Sequence, residues 1–235
     1  MGFFSIFSRP RSLVDSGVLQ GKADRHSHIL FGVDDGVKSL EDALAALAFM
    51  EQCGITDVWC TPHVMEDVPN ATDFLKQRFE ELVAEYRGNI KMHLAAEYML
   101  DNVFEERLGE RDLLTMEDDI VLVETSALSP PVNFYEILNE TKRAGYSPML
   151  AHPERYRYLD QKDYVKLKEM GIRFQMNLAS VVGFYGKTAK DKALWLLGKE
   201  YYDEIGSDCH RLQTTKQQFE YKALNRSDLS LLKLQ

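Results

Sequence analysis

Residues 119–152, DIVLVETSALSPPVNFYEILNETKRAGYSPMLAH, hold one strand–helix–strand unit whose two strands both end on a potential metal ligand. Asp119 to Glu124 is an apolar run of strand length that stops on a carboxylate. Val132 to Ala144 carries the helical period and stops at Gly145, and Ser147 to His152 is a second run that stops on an imidazole. Alternating units of this kind build parallel sheets, in which functional side chains collect at the carboxyl ends of the strands.

The unit repeats along the chain. Further strands are expected at Lys22 to His26, Thr56 to Thr61, Ile90 to Ala96, Ile172 to Asn177 and Tyr202 to Ser207. Helices are expected from Ser39, where Ser39-Leu-Glu-Asp42 reads as a capping box, to Gly54, and over Thr72–Arg87, Asn102–Leu108, Asp160–Met170, Thr188–Tyr201 and Thr214–Leu224. Seven strand–helix repeats predict a single-domain α/β barrel over residues 21–235, preceded by an extension at residues 1–20. An open doubly wound sheet is the alternative, but its ligands gather at one switch point rather than at almost every strand end.

The ligands follow the barrel rule. His26 and His28 close the first strand, His63 follows the second, Glu97 the third, Glu124 the fourth, His152 the fifth, and Asp208 with His210 the seventh. In His26-x-His28 strand alternation turns both rings to one side, and Asp208-x-His210 is expected to repeat that geometry. Asp34 and Asp35 lie in a glycine-flanked loop behind the first pair. Each residue alone reads equally well as a satisfied polar group at a loop. Together, His26, His28, Asp35, His63, Glu97, Glu124, His152, Asp208 and His210 are too many for one tetrahedral ion and imply a cluster of two or three divalent metals. His93, inside a strand run, is assigned to packing or surface, and Asp24 to a position behind the histidines. Arg155, three residues past His152, is expected to grip phosphate or to form a surface ion pair with Glu154.

Composition narrows the class. The 235 residues are 45% hydrophobic and 28% charged, with no apolar run long enough to span a bilayer. A net charge of −9 argues against a nucleic-acid backbone as partner. Three cysteines without a secretion signal fit a reducing cytoplasm, and none begins a Cys-x5-Arg phosphate loop, so all three are expected in the core. The aromatic start MGFFSIF is expected to be a loose tail packed on the domain, with weak membrane-surface contact as the alternative.

The motifs HSHILFGVDDG, TPH, AAE, VET, AHPERY and SDCH resemble the polymerase and histidinol phosphatase (PHP) superfamily. Within it they are most similar to the manganese-dependent bacterial protein-tyrosine phosphatases of capsule and exopolysaccharide operons, over residues 22 to 212. The resemblance implies a distorted (β/α)7 barrel with three metals: His26, His28, Glu97 and Asp208 at the first, Glu97 bridging to a second held by Glu124 and His152, and Asp35, His63 and His210 at the third. Manganese is the implied ion, with iron or zinc also suited to these ligands. Arg155 matches the family's phosphate-contacting arginine.

The implied reaction is hydrolysis of phosphotyrosine, a phosphomonoester, by a metal-bridging hydroxide, with His63, His210 and Asp34 as candidates for proton transfer and Asp208 among the catalytic set. The implied partner is the phosphotyrosine tail of a membrane-associated bacterial tyrosine kinase, which would place the protein in the cytoplasm at the inner face of the membrane. Tyr135, Tyr146, Tyr156, Tyr158 and Phe184-Tyr185 are candidates to frame the phenol. A small-molecule phosphatase of the histidinol phosphate type and a non-catalytic kinase-docking module are the rival readings. Arg25, where an apolar residue is usual, and the twenty extra leading residues depart from the pattern and bear on substrate access.

Overall fold

The structure is a computed structural model that describes residues 9–117 and 119–232. The aromatic cluster of the leading tail falls outside the described residues. In chain order the elements are α1 (Leu13–Ser16), β1 (Ala23–Ser27), α2 (Leu40–Gln52), β2 (Asp57–Cys60), β3 (His63–Val64), α3 (Thr72–Glu85), β4 (Lys91–Leu94), β5 (Glu97–Met99), α4 (Asn102–Glu110), β6 (Ile120–Glu124), α5 (Phe134–Arg143), β7 (Ser147–Ala151), α6 (Gln161–Glu169), β8 (Arg173–Asn177), α7 (Leu178–Val181), α8 (Lys187–Gly198), β9 (Glu204–Gly206), α9 (Leu212–Glu220) and α10 (Arg226–Leu232). A 3-10 turn, Pro153–Arg155, follows β7.

Local chemistry sets the boundaries. The Ser39 hydroxyl accepts from Asp42 N at 3.1 Å to start α2, and Asp160 and Asp163 form a reciprocal capping box on α6. Gly54, at φ 90°, turns the chain out of α2 toward β2 in a conformation that glycine adopts without steric cost.

All strand pairs named in the two sheets are parallel, in the orders β1-β2-β4 and β3-β5-β6-β7-β8-β9. The count corrects the expectation of seven strands: the second and third runs are each broken, at Thr61-Pro62 and at Ala95-Ala96. Pro62 has no N–H to contribute to a ladder, and the chain bends there. Hydrogen bonds still cross both breaks, from Ala95 N to the Cys60 carbonyl (2.9 Å) and from Glu97 N to the Pro62 carbonyl (3.0 Å). At the other edge Ser27 bridges Cys209 in parallel, and Asp208 N donates to the His26 carbonyl at 2.8 Å, which brings the two ends of the strand order together. The sheet is therefore curled.

Alternation assigns its faces. Val121 and Val123 of β6 join the large core shared with helix residues such as Leu47, Leu75, Ile137 and Leu196. Ile120 and Leu122 join a separate cluster of Trp59, Ala95, Met116, Met149 and Ala151, enclosed by the strands. Glu124 shares the parity of Ile120 and Leu122, so β6 delivers its carboxylate to the enclosed face.

Residues 11–20 are built into the domain: Leu13 and Leu19 are fully buried, and Arg11 pairs antiparallel with Leu224. Helices α1, α7 and α10 were not expected from periodicity, because each is too short to show it. Arg25 is tied by ion pairs to Glu117 (2.8 Å) and Glu204 (3.4 Å) and lies over Trp59 at 5.3 Å. Glu117 and Glu204 precede or open their strands, so Arg25 is directed away from the carboxyl-terminal ends rather than toward the substrate side. No helix among the described residues is long and apolar enough to cross a membrane.

Candidate metal centre

The end of β1 presents two imidazoles whose Nε2 atoms are 3.1 Å apart. His26 Nε2 lies 3.2 Å from Glu97 Oε2 and 3.5 Å from Asp208 Oδ1; for His28 Nε2 the same distances are 3.3 and 3.4 Å. Their other nitrogens are held from behind. His26 Nδ1 is 2.8 Å from Gln175 Oε1, while the Gln175 amide nitrogen donates to the Met176 carbonyl, which fixes the amide's orientation. An amide oxygen only accepts, so His26 donates from Nδ1, and Nε2 is the nitrogen turned toward the carboxylates, free to bind a cation once its proton leaves. His28 Nδ1 is likewise 2.8 Å from Asp34 Oδ2. Two glycines permit this packing: a Cβ on Gly206 would lie 2.4 Å from His26 Cβ, and one on Gly36 would lie 2.3 Å from the His28 carbonyl oxygen.

The remaining strand ends converge on the same point. His63 Nδ1 is 3.2 Å from Glu97 Oε2 and 3.1 Å from Glu124 Oε1, and His152 Nε2 is 3.2 Å from Glu97 Oε1. His210 Nε2 is 3.3 Å and His63 Nε2 3.6 Å from Asp35 Oδ1, an exposed carboxylate at the open side. All nine expected ligands thus lie together. Asp208 and His210 arrive differently from the expectation: β9 ends at Gly206, and Asp208 sits at φ 54° in a loop rather than in strand alternation. His152 is also left-handed, at φ 35°, directly before Pro153. Left-handed backbone is uncommon outside glycine, although Asp and His adopt it more readily than most, and it concentrates at functional sites.

Electrostatics show what the cluster lacks. Burial pulls the His26 pKa down, but the Glu97 and Asp208 charges outweigh it and lift the ring to about 9. His28 is raised well above its ordinary value, since its bonds to Asp208 and Asp34 outweigh its burial. Glu97 and Asp208 are both held below the usual carboxylate range by the imidazoles around them, against a large burial penalty. Both oxygens of Glu97 are buried without a hydrogen-bond partner, as are His63 Nδ1 and His152 Nδ1. Among the described residues, the groups that face the Glu97 oxygens are imidazole nitrogens at 3.2–3.3 Å, and buried anionic oxygens without well-formed hydrogen bonds carry a desolvation cost that bound cations would offset.

The donors fit divalent ions. Four sets of ligand atoms, each mutually within 4.8 Å, overlap: His28/Asp35/His63/His210, His26/His28/Asp208, His26/Glu97/His152 and His63/Glu97/Glu124. The mixture of imidazole and carboxylate suits manganese, iron and zinc alike.

Arg155, carried by the 3-10 turn after His152, donates from Nη1 to Asp208 Oδ2 at 2.7 Å, and its guanidinium lies 4.4 Å over the Tyr185 ring. It does not form the alternative surface pair with Glu154, which is buried and bonds Asn177 N and the Tyr202 hydroxyl. Asn177 Nδ2 donates to the same Asp208 oxygen at 2.9 Å. A cavity of about 450 Å³ opens over these groups, lined also by Met65, Phe184, Arg211 and Thr214. Arg211 is thus a second arginine at the cavity wall beside Arg155.

Several secondary expectations resolve. Of the candidate aromatics only Phe184 and Tyr185 line this cavity. Tyr156 is buried and its hydroxyl accepts from Thr125 N, Tyr158 contacts the Thr125 hydroxyl, and Tyr135 bonds Asp163. His93 stacks on Trp59 at 4.6 Å, away from the cluster. Asp24 supports no imidazole: its Oδ1 accepts from His26 N and Ser207 N, and burial lifts its pKa to about 6. Asp34, a candidate for proton transfer, is locked by His28 Nδ1, His63 N and Gly36 N; these bonds outweigh burial and hold it near 2, the environment of a fixed anion. Gln175 and Asn177 were missed by sequence reasoning. Their signal was two amides in the run RFQMN, among residues that otherwise read as strand.

Comparison with known proteins shows the family and the fold. The chain is 31% identical over 207 residues to the tyrosine-protein phosphatase CpsB of Streptococcus pneumoniae, covering 81% of this chain and 84% of that protein. It is 28% identical over 201 residues to the tyrosine-protein phosphatase YwqE of Bacillus subtilis (strain 168), covering 81% and 78%. The fold superposes with a TM-score of 0.74 and 26% identity on a solved structure from work on YwqE of B. subtilis and CpsB of S. pneumoniae, described as unique metal-dependent tyrosine phosphatases, over 91% of this chain and 87% of that one. With residues 22–223 matching the model for capsular polysaccharide synthesis proteins CpsB/CapC, the chain belongs to that family.

Proposed function

We propose that the chain is a metal-dependent protein-tyrosine phosphatase that hydrolyses phosphotyrosine on a bacterial tyrosine kinase controlling capsule or exopolysaccharide synthesis. The observation that carries the reading is Glu97, a buried carboxylate ringed by the imidazoles of His26, His28, His63 and His152 and common to two of four overlapping donor sets, beside a guanidinium at the cavity wall. The activity is taken from the relatives, and the chemistry from the site itself.

Three ions, with manganese as the first choice, would be held by His26, His28, Glu97 and Asp208; by Glu97, Glu124 and His152; and by Asp35, His63 and His210. When bound, such ions supply an activated water and offset charge on the phosphoryl oxygens. The chain supplies the rest. Gln175 and Asp34 orient the two β1 imidazoles, while Arg155, steadied by Tyr185 and Asp208, is placed to hold a non-bridging phosphate oxygen. A tyrosine oxygen, with a pKa of about 10, departs with less proton assistance than an alkoxide needs. His63 and His210, at the open side, are the candidates for any proton movement that remains.

The same reading takes residues 21–235 as the phosphatase domain and residues 1–20 as its extension. It takes the nine strands as the staves of a distorted (β/α)7 barrel, β2/β3 and β4/β5 each being one broken stave; the hydrogen bonds across the breaks and the Ser27–Cys209 bridge support it. A kinase partner at the membrane would bring the protein to the inner face.

Purified protein loaded with manganese should release phosphate from p-nitrophenyl phosphate, and His152→Ala or Asp208→Ala should abolish release. A phosphotyrosine peptide should be hydrolysed faster than histidinol phosphate; the reverse preference would replace the protein substrate by a small molecule.

A further inference from the structure

A second cavity, of about 810 Å³, adjoins the metal cavity and shares Arg155 and Tyr185 with it as a common wall. Its floor is apolar, made by Leu159, Tyr164 and Trp195, and its rim is charged. Four cationic side chains, Arg155, Arg157, Lys187 and Lys192, face three acids there, although the whole chain carries a net charge of −9. The acids are all engaged: Glu154 is buried in its own hydrogen bonds, Asp160 caps α6, and Asp191 pairs with Lys187. Lys192 donates to the Tyr156 and Leu159 carbonyls and makes no direct ion pair among the described residues, although the Asp160, Asp163 and Glu154 charges act on it. Arg157 is exposed and has no ion-pair partner among the described residues.

The shared wall decides what this cavity adjoins. An aryl phosphate whose phosphoryl group meets Arg155 has its remaining chain at the mouth of the metal cavity, and Arg155 and Tyr185 are where that mouth passes into the second groove. We infer that the groove between the 3-10 turn and α8 seats the polypeptide flanking the phosphotyrosine, and that it favours acidic flanking residues through Arg157. This rests on the phosphatase reading of the metal site. An apolar floor beneath unpaired positive charge suits a peptide with both apolar and acidic side chains, and a volume within the range of about 300–1,000 Å³ typical of specific sites can bury several of them.

The test compares p-nitrophenyl phosphate, free phosphotyrosine and two phosphotyrosine decapeptides, one with acidic and one with neutral flanks, on the manganese-loaded protein. The acidic peptide should exceed free phosphotyrosine in kcat/KM by at least about tenfold, mainly through KM. Arg157→Glu should erase the acidic preference, and Thr188→Trp, on the groove rim, should lower the ratio of peptide to p-nitrophenyl phosphate efficiency about tenfold. Binding is read separately with an acidic decapeptide carrying phosphonomethyl-phenylalanine, which cannot turn over; Arg157→Glu should weaken its Kd about tenfold. Equal efficiency for both peptides and free phosphotyrosine, or variants that leave peptide affinity unaltered, would overturn the groove assignment. Absence of p-nitrophenyl phosphate hydrolysis by the wild type would instead overturn the phosphatase reading, with the phosphonate Kd still deciding the groove.

Discussion

Gln175 Oε1 stands 2.8 Å from His26 Nδ1, and this one contact decides which nitrogen of a fully buried imidazole faces the carboxylates. Partners behind a metal-binding histidine typically account for about 10–100-fold in metal affinity. Gln175→Leu keeps the volume and removes the acceptor, so the purified variant should bind manganese about 10–100-fold more weakly in a chelator competition. Gln175→Glu, which restores an acceptor, should recover most of the loss. Unaltered affinity in the leucine variant would mean that the amide does not set the tautomer.

Arg155 donates to Asp208 Oδ2 at 2.7 Å and rests on the Tyr185 ring, two contacts that depend on a flat guanidinium. A hydrogen bond to a charged group is worth about 1.5–3 kcal/mol, or roughly 10–150-fold in rate. Arg155→Lys keeps the charge but cannot span phosphate and carboxylate in one plane, so kcat/KM for p-nitrophenyl phosphate should fall about 10–100-fold. The manganese content should stay at the wild-type level, since Asp208 retains Asn177 as a donor. A loss of metal in parallel with rate would make Arg155 a support for the metal site instead.

Most strand positions were legible because the expected strands between Thr56 and Asn177 are short, largely apolar runs; the first and last, KADRH and YDEIGS, are weak on propensity and were placed by the imidazoles and carboxylates that follow them. Glu124 shows the easy case, following four apolar residues in β6 with unbroken alternation. Asp208 and His152 show the hard one. Both residues have left-handed backbones, and although Asp and His are enriched in that region most copies of either lie elsewhere, so the residue type alone does not signal φ near 35–54°. The split at Thr61-Pro62 was half legible, since Pro62 ends the expected run, but the short pairing of His63-Val64 beyond it has no signal of its own; at Ala95-Ala96 the apolar run continues through the break, and only the curl of the sheet requires a bend. Asn177 and Gln175 were passed over because amides are weak metal ligands, whereas their role is to hold the groups that would bind.

Glu97 predicts how the fold responds to metal removal. Its buried oxygens lack hydrogen-bond partners, so ions that bind the folded cluster and not the unfolded chain must stabilise it. At a metal concentration of 100 times Kd the gain is about 2.7 kcal/mol, which for a chain of this size corresponds to roughly 5–10 °C in Tm. Scanning calorimetry with manganese and then with excess chelator should show a drop of that order. A Tm indifferent to the chelator would place the ions outside this cluster.

The three cysteines predict the alkaline limb of stability. Burial pushes the Cys60 and Cys209 thiols up to about 12, and burial with the nearby Glu220 charge lifts Cys53 to about 11, each from an ordinary 9.0. The neutral thiol is the form the fold accepts. Unfolded chains lose the proton first as pH rises, so this contribution to stability is complete below about 9 and is lost progressively toward 12. Tyr98, raised to about 12 by burial, acts in the same direction. Urea midpoints should therefore be flat in these groups up to pH 9 and fall above it, and Cys60→Ala should have a shallower alkaline slope than the wild type. At pH 8 a thiol reagent should label no cysteine of the folded protein and all three after denaturation, since thiolate is the reactive form and each thiol is buried. Rapid labelling of the folded protein at pH 8 would show that one of these cysteines is reached from solvent.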